Sequence, residues 1–258
     1  MKIALVSLDQ IWENKEENLK ACEEYCKKAS KAKSNLIIFP EMTLTGFSMD
    51  TETNGENEKD SLTIRAFGQL AKDFKIAIIF GVTIKEKSKS SNMLYFVNEF
   101  GEILEFYQKI HPFSFANEDH YYEAGETLKT VSFFGVKFGL TICYDLRFSN
   151  LYQSYTQMGT DCIINIANWP AKRVEHWNTL LKARSIENQQ FIIGVNRIGI
   201  DGNGLEYVES SNIFNPNGEQ VEYQTIDGNR FKIFDIDFNE TKEFRKTFNT
   251  VQDIKNIG

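Results

Sequence analysis

Two spacings of apolar residues alternate along the chain. Residues 3–8 form a short apolar run broken only by Ser7, the pattern of a buried strand. Residues 14–31 then place Leu19, Ala21, Cys22, Tyr25 and Ala29 at helical spacing. Residues 35–39 return to a β-rich run that stops at Pro40. A second amphipathic helix is expected over residues 62–74, with Ile64, Phe67, Leu70, Ala71 and Phe74 on one side. Between these, residues 50–59 are polar and acidic and read as a surface loop.

Strands dominate the middle and the end. One is expected over residues 75–84, and a hairpin over residues 91–99 and 102–107 turns at Phe100-Gly101. Further strands are expected at residues 128–134, 136–142, 161–166, 191–195, 207–214, 220–223 and 230–236, with a turn at Asn215-Pro216-Asn217-Gly218. Helices are expected over residues 148–157 and 174–188. Residues 108–126 carry no clean period. A long irregular stretch inside a compact domain is functional or disordered, and the aromatic content here argues against disorder. No linker divides the chain and no period repeats, so residues 1–258 read as one α/β domain with mixed sheets. The pattern leaves open whether there is one sheet or two.

Composition narrows this picture. A chain of 258 residues with 41% hydrophobic and 25% charged content is ordinary for a globular protein and excludes collagen-like, disordered and coiled-coil classes. The net charge of -7 is spread without a basic stripe, which argues against nucleic-acid binding. The longest apolar stretch, residues 76–84, is about half of what a membrane-spanning helix needs. No signal peptide is visible, and a soluble cytoplasmic protein is expected. Of the four cysteines, Cys22 and Cys26 lie on a helix and Cys162 inside a strand, all readable as packing residues.

Cys143 is different. It ends the run Gly139-Leu140-Thr141-Ile142 and is followed at once by Tyr144-Asp145-Leu146-Arg147. Open α/β sheets place ligand sites at the C-terminal ends of their strands. A thiol there is a candidate nucleophile, although a buried structural Cys is a rival reading. A free thiol is mostly protonated at neutral pH, so it needs a base and a nearby cation. Glu41 stands just beyond a buried strand and its Pro40 stop, a poorly solvated position that suits a general base. Lys109 ends another apolar strand and can serve as a fixed cation beside a developing oxyanion. Each is also readable as an ordinary strand-end charge. No His, Cys or Asp cluster has metal-ligand spacing and no glycine-rich phosphate loop is present, so neither metal nor cofactor is expected.

Taken together, Ile38-Phe39-Pro40-Glu41-Met42, Tyr107-Gln108-Lys109-Ile110-His111 and Ile142-Cys143-Tyr144-Asp145-Leu146-Arg147 resemble the three signature blocks of the nitrilase superfamily, the carbon–nitrogen hydrolases, in the family's order. Within it the chain looks most like the bacterial omega-amidases, through the segment Glu41 to Met49, Ala167-Asn168-Trp169-Pro170-Ala171, His176-Trp177, the segment Ala183 to Gln189 and Asn196-Arg197-Ile198-Gly199 with Asp201-Gly202-Asn203-Gly204. The resemblance implies a four-layer α-β-β-α sandwich of two mixed sheets and a homodimer or larger homo-oligomer, with residues 148–157 and 238–258 as candidate interface elements.

The resemblance also implies a reaction: hydrolysis of the terminal amide of 2-oxoglutaramate or 2-oxosuccinamate through a thioester on Cys143, with Glu41 as base and Lys109 and the Tyr144 N–H holding the oxyanion. A fourth carboxylate is expected in the loop after the lysine. Glu118 is favoured there, with Asp119 and Glu123 as competitors. Phe115, Tyr144 and Trp169 are expected to wall the pocket beside Asn168, and Arg173, ahead of Lys172, to bind the substrate carboxylate because its planar fork matches one. Arg147 and Glu187 are expected to pair and hold the nucleophile loop, Asp145 to cap the helix after it, and His111 and His176 to pack or bond rather than react. The alternatives are an N-carbamoyl-amine hydrolase, a deaminated-glutathione amidase, or a non-catalytic scaffold of the same fold. A metal-dependent hydrolase with a four-layer sandwich lacks the ligand cluster it would need.

Overall fold

The continuous apolar runs become strands buried on both faces, which requires sheets covered on each side. A computed structural model describes residues 1–85, 88–226 and 228–255. Its strands are β1 (Lys2–Val6), β2 (Leu36–Ile38), β3 (Ala77–Ile84), β4 (Ser91–Val97), β5 (Ile103–Gln108), β6 (Thr130–Phe133), β7 (Val136–Ile142), β8 (Cys162–Ala167), β9 (Phe191–Asn196), β10 (Gly199–Ile200), β11 (Glu206–Tyr207), β12 (Asn212–Phe214), β13 (Gln224–Thr225) and β14 (Phe231–Asp235). The helices are α1 (Lys15–Lys31), α2 (Thr51–Asn54), α3 (Leu62–Phe74), α4 (Glu118–Tyr121), α5 (Ser149–Gln157), α6 (Val174–Asn188) and α7 (Asn239–Thr247).

A seven-stranded sheet has the order β13-β14-β1-β2-β3-β4-β5, and a five-stranded sheet the order β12-β9-β8-β7-β6. Both are mixed. In the first, β1, β2 and β3 are parallel and the flanking pairs antiparallel. In the second, β7, β8 and β9 are parallel. Ile3, Leu36, Ile38 and Phe96 of the large sheet share one core with Phe138, Leu140 and Ile164 of the small one. On its other face the large sheet packs Ile37, Phe39 and Phe80 against Cys22 and Cys26 of α1 and Phe67 of α3. Tyr155 of α5 and Trp177 and Leu181 of α6 cover the outer face of the small sheet, lying directly over Gly139 and Gly194 where any Cβ would collide with them. The layers are thus helix, sheet, sheet, helix, as expected.

Strand direction places the chemistry. β3–β4 and β4–β5 are both antiparallel, so β5 runs the same way as β2 and β3. The C-terminal ends of β2 and β5 therefore lie on one edge, and they lead to Glu41 and Lys109. The parallel strands β7 and β8 lead likewise to Cys143 and Asn168.

Three local expectations fail. Residues 50–59 are not a bare loop: Asp50 caps α2 by accepting the Thr53 N–H, and Glu58–Asp60 form a 3-10 turn. The strand expected over residues 207–214 breaks into β11 and β12: Glu209 accepts the Ser211 N–H, and Ser211 Oγ takes up the Asn196 N–H and carbonyl. Residues 220–223 pair only at Gln220, opposite Phe214, and the strand begins at β13 instead. Of the candidate interface segment 238–258, α7 carries the first half, and residues 256–258 lie outside the described residues. Among the described residues no helix is long and apolar enough to cross a membrane.

Candidate active site

Glu41, Lys109 and Glu118 converge although they lie on three separate segments. The Lys109 Nζ donates to Glu41 Oε1 at 2.8 Å and to Glu118 Oε1 and Oε2 at 3.0 and 2.8 Å. All three side chains are buried. Charges taken out of water persist only when paired and hydrogen-bonded on every side, and these are. Asn92 Nδ2 donates to Glu41 Oε1 at 2.8 Å and to Glu118 Oε1 at 2.9 Å. The Phe113 N–H donates to Glu118 Oε2, and the Asn168 N–H donates to Glu41 Oε2 at 2.9 Å.

Burial alone would favour a neutral amine on Lys109, but Glu118 and then Glu41 outweigh it and hold its pKa well above the ordinary lysine value. Burial raises the Glu118 pKa, with Lys109 opposing and Glu41 adding to the rise. Burial and then the Glu41 charge push the Cys143 thiol well above its usual range, with Lys109 pulling it back. The thiol is therefore held protonated, and a neighbouring base is needed to make it a nucleophile. Asn168 joins the two groups: its N–H holds Glu41, and its carbonyl faces Cys143 Sγ at 4.0 Å.

Cys143 opens a 3-10 turn (Cys143–Arg147) with φ of 44°, a left-handed conformation that few non-glycine residues adopt. Such strain persists where surroundings over-determine it. Asp145, fully buried, does so here. It accepts the Ile142 N–H at 3.0 Å, the Tyr107 hydroxyl at 2.8 Å and the His111 N–H at 3.0 Å, and lies 2.8 Å from His111 Nδ1. It thus ties the Cys143 turn to the residues flanking Lys109, rather than capping α5. Arg184 adds a second tie by donating Nε and Nη2 to the Leu146 carbonyl. The turn bearing Glu41 is held in the same manner. Gly81 of β3 passes so close that a Cβ would stand 2.3 Å from the Met42 nitrogen, and its N–H donates to Thr43 Oγ1 at 2.9 Å.

Beside Cys143 lies a cavity of about 310 Å³. Tyr144, Asn168, Trp169 and Arg173 line it. Phe115 does not. It is 84% exposed, and Phe113, two residues earlier in the same loop, takes the wall position. Arg147 also departs from expectation. It lines the cavity, with its guanidinium 4.7 Å from the Trp169 ring centroid, while Glu187 pairs with Arg184 at 3.0 Å. His176 Nδ1 meets Arg147 Nη2 at 3.3 Å, and His111 stacks on Phe148 at 3.7 Å. Asp119 and Glu123 stay outside the Lys109 cluster: Asp119 offers its carbonyl to Lys89, and Glu123 is exposed. Lys172 is exposed as well.

Residues missed from sequence include Asn92 and the wall Asp201, Asn203, Leu205 and Tyr207. Asn92 had a signal, a lone amide in the largely apolar strand β4. Among the described residues no group of His, Cys, Asp and Glu is arranged to hold a metal ion.

The chain matches the carbon-nitrogen hydrolase family over residues 2–246. It is 31% identical over 255 residues to the omega-amidase YafV of Escherichia coli (strain K12), covering 98% of this chain and 96% of that protein. It is 29% identical over 257 residues to the 2-oxoglutaramate amidase of Bacillus subtilis (strain 168), covering 98% and 97%. Among solved structures, that of XC1258 from Xanthomonas campestris, a CN-hydrolase superfamily protein with an arsenic adduct in the active site, matches with a TM-score of 0.92 at 28% identity, over 100% of this chain and 98% of that one.

Proposed function

Because the chain belongs to the carbon-nitrogen hydrolase family, we propose that it is an omega-amidase, hydrolysing the terminal amide of small dicarboxylic monoamides such as 2-oxoglutaramate or 2-oxosuccinamate. The observation that carries this reading is the buried Glu41–Lys109–Glu118 network placed against the Cys143 turn at the cavity.

Glu41 takes the Cys143 proton as Sγ attacks the amide carbon. The carbonyl electron pair moves onto oxygen, where Lys109 and the Tyr144 N–H stabilise the charge. The tetrahedral intermediate collapses, the C–N bond breaks, and Glu41 passes the proton to the departing nitrogen, releasing ammonia. Water, deprotonated by Glu41, attacks the thioester, and the thiol leaves with that proton. Glu118 holds Lys109 in place through both steps. One hard displacement becomes two easier ones.

The substrate class is supported by the names of the relatives and by the cavity's charge. Arg147 and Arg173 line it and pack on aromatic rings, Arg173 at 5.5 Å from the Phe113 centroid. A guanidinium fork in a small, largely apolar cavity suits the carboxylate of a short acid.

The test is ammonia release from 2-oxoglutaramate, glutamine, an N-carbamoyl amine and a simple nitrile, by wild type and Cys143→Ala. Turnover of 2-oxoglutaramate well above the others, abolished in the variant, supports the assignment. Preference for the N-carbamoyl amine, or turnover of none, overturns it.

A further inference from the structure

Arg197 has no part in the reaction just described, yet it is fully buried. Its Nη2 donates to the Gln10 carbonyl at 2.9 Å and its Nε to the Ile198 carbonyl at 3.1 Å, while Nη1 meets no hydrogen-bond partner among the described residues. Asp201 and Asp9 act on it only through space, without a direct ion pair among the described residues. A buried guanidinium so weakly compensated is a poor source of stability.

Its neighbours indicate another role. Gln10, whose carbonyl it holds, donates Nε2 to the carbonyls of Glu41, Met42 and Thr43 at 3.1, 2.9 and 3.1 Å. The Tyr207 ring lies 4.6 Å from the guanidinium, and the Tyr207 hydroxyl donates to Asp201 Oδ2 at 2.9 Å. Asp201 Oδ1 in turn accepts the N–H groups of Asn203 and Leu205, which line the cavity. A Cβ added to Gly46 would stand 3.2 Å from Nη1, so the same group packs against the backbone just before Phe47, another wall residue.

Resting on the amidase reading of this cavity, we propose that Arg197 is a positioning residue that locks the turn bearing the base Glu41 to the substrate-side loop over residues 201–207. It touches neither substrate nor reacting atoms. One planar fork holds the two walls in register, so that the amide carbon arrives where the activated thiol points. Lysine would keep the charge but lose the fork and the ring stacking.

The test uses two readouts. The rate of Cys143 alkylation by 2-iodoethanol, which carries no amide, reports on Glu41 placement without any amide substrate. Cys22, Cys26 and Cys162 are fully buried, so a single adduct by intact mass reads Cys143. The second readout is KM for 2-oxoglutaramate. Arg197→Lys is expected to slow alkylation and to raise KM, each by about tenfold to a hundredfold, the scale of a small misplacement of reacting groups. Gln10→Met is expected to reproduce the slower alkylation, and Tyr207→Phe the higher KM. An Arg197→Lys protein that melts earlier but alkylates at the wild-type rate with wild-type KM overturns the proposal. Should Arg197→Lys fail to fold, Gln10→Met alkylating at the wild-type rate overturns it. If the wild type turns over no 2-oxoglutaramate while Arg197→Lys still slows alkylation, the amidase reading fails and the tie to Glu41 stands.

Discussion

Lys109 grips both carboxylate oxygens of Glu118, at 3.0 and 2.8 Å, with neither side chain reaching solvent. This fork fixes the ammonium before any substrate arrives. In the proposed reaction, an oxyanion donor held in place beforehand needs no reorganisation when charge develops.

Removing Glu118 should therefore affect both activity and stability. In Glu118→Ala, Lys109 keeps Glu41 as its carboxylate partner. Breaking one arm of a buried charge pair typically costs about 3–5 kcal/mol, and loss of an oxyanion donor's placement on the order of 10²–10³ in rate. The expected outcome is an earlier thermal transition together with a kcat reduced on that scale. Glu118→Gln, whose amide oxygen still accepts from Lys109, should recover most of the stability and little of the rate. Calorimetry and ammonia release read the two effects separately.

Gly81→Ala tests the base turn. The new Cβ would stand 2.3 Å from the Met42 nitrogen and 2.9 Å from the Glu41 carbonyl carbon. Either β3 or the turn must move. Overpacking of this kind costs about 1–3 kcal/mol, and a misplaced base about a hundredfold in rate. Cys143 alkylation should slow in parallel with kcat, because both depend on where Glu41 sits.

The arginines of the cavity are expected to act on binding. Arg147→Met and Arg173→Met should each raise KM for 2-oxoglutaramate by about tenfold, with kcat much less affected, as a charge-assisted hydrogen bond is worth roughly 1.5–3 kcal/mol. A neutral amide of similar length should lose far less. Steady-state kinetics with the two substrates makes the comparison, and equal losses on both would count against a carboxylate contact.

Glu41, Lys109 and Cys143 of the candidate site are legible as candidates because they follow abrupt ends of apolar strands, whereas Glu118 follows only from the family resemblance. Pro40 marks one such end, and the change from Ile142 to Tyr144-Asp145 another. The walls were not legible. Whether Phe113 or Phe115 faces the cavity depends on backbone turns in residues 108–126, among them a left-handed Asn117 with φ of 57°. No periodicity encodes such a turn. Arg147 was misassigned for a related reason: its placement over Trp169 depends on the strained turn at Cys143, and Glu187 had a nearer partner one helical turn away in Arg184. The break between β11 and β12 coincides with side-chain hydrogen bonds of Glu209 and Ser211, which compete with the ladder and leave no hydrophobic trace.

Alkaline pH should weaken the fold. Burial pushes the thiols of Cys22 and Cys162 well above their ordinary value of 9.0. The unfolded chain releases these protons above that pH while the folded protein keeps them. Their contribution to stability is thus intact below pH 9.0 and falls as pH rises, by about 1.4 kcal/mol per pH unit for each thiol. Buried Tyr152, similarly raised by burial from its ordinary value of 10.0, adds to the decline above that pH. Urea unfolding between about pH 8 and pH 10.5 should show this loss, and Cys162→Ala should make the slope shallower.

The central claim, that Cys143 carries the acyl group as a thioester made with the help of Glu41, is tested most directly by acid-quenching the enzyme during turnover of 2-oxoglutaramate and measuring intact and peptide masses. Wild type should show an adduct on Cys143 equal to the substrate minus ammonia, released by hydroxylamine. Glu41→Gln should form it far more slowly, and Cys143→Ala not at all. Turnover with no adduct at any quench time, or an adduct that persists in Cys143→Ala, would contradict the claim.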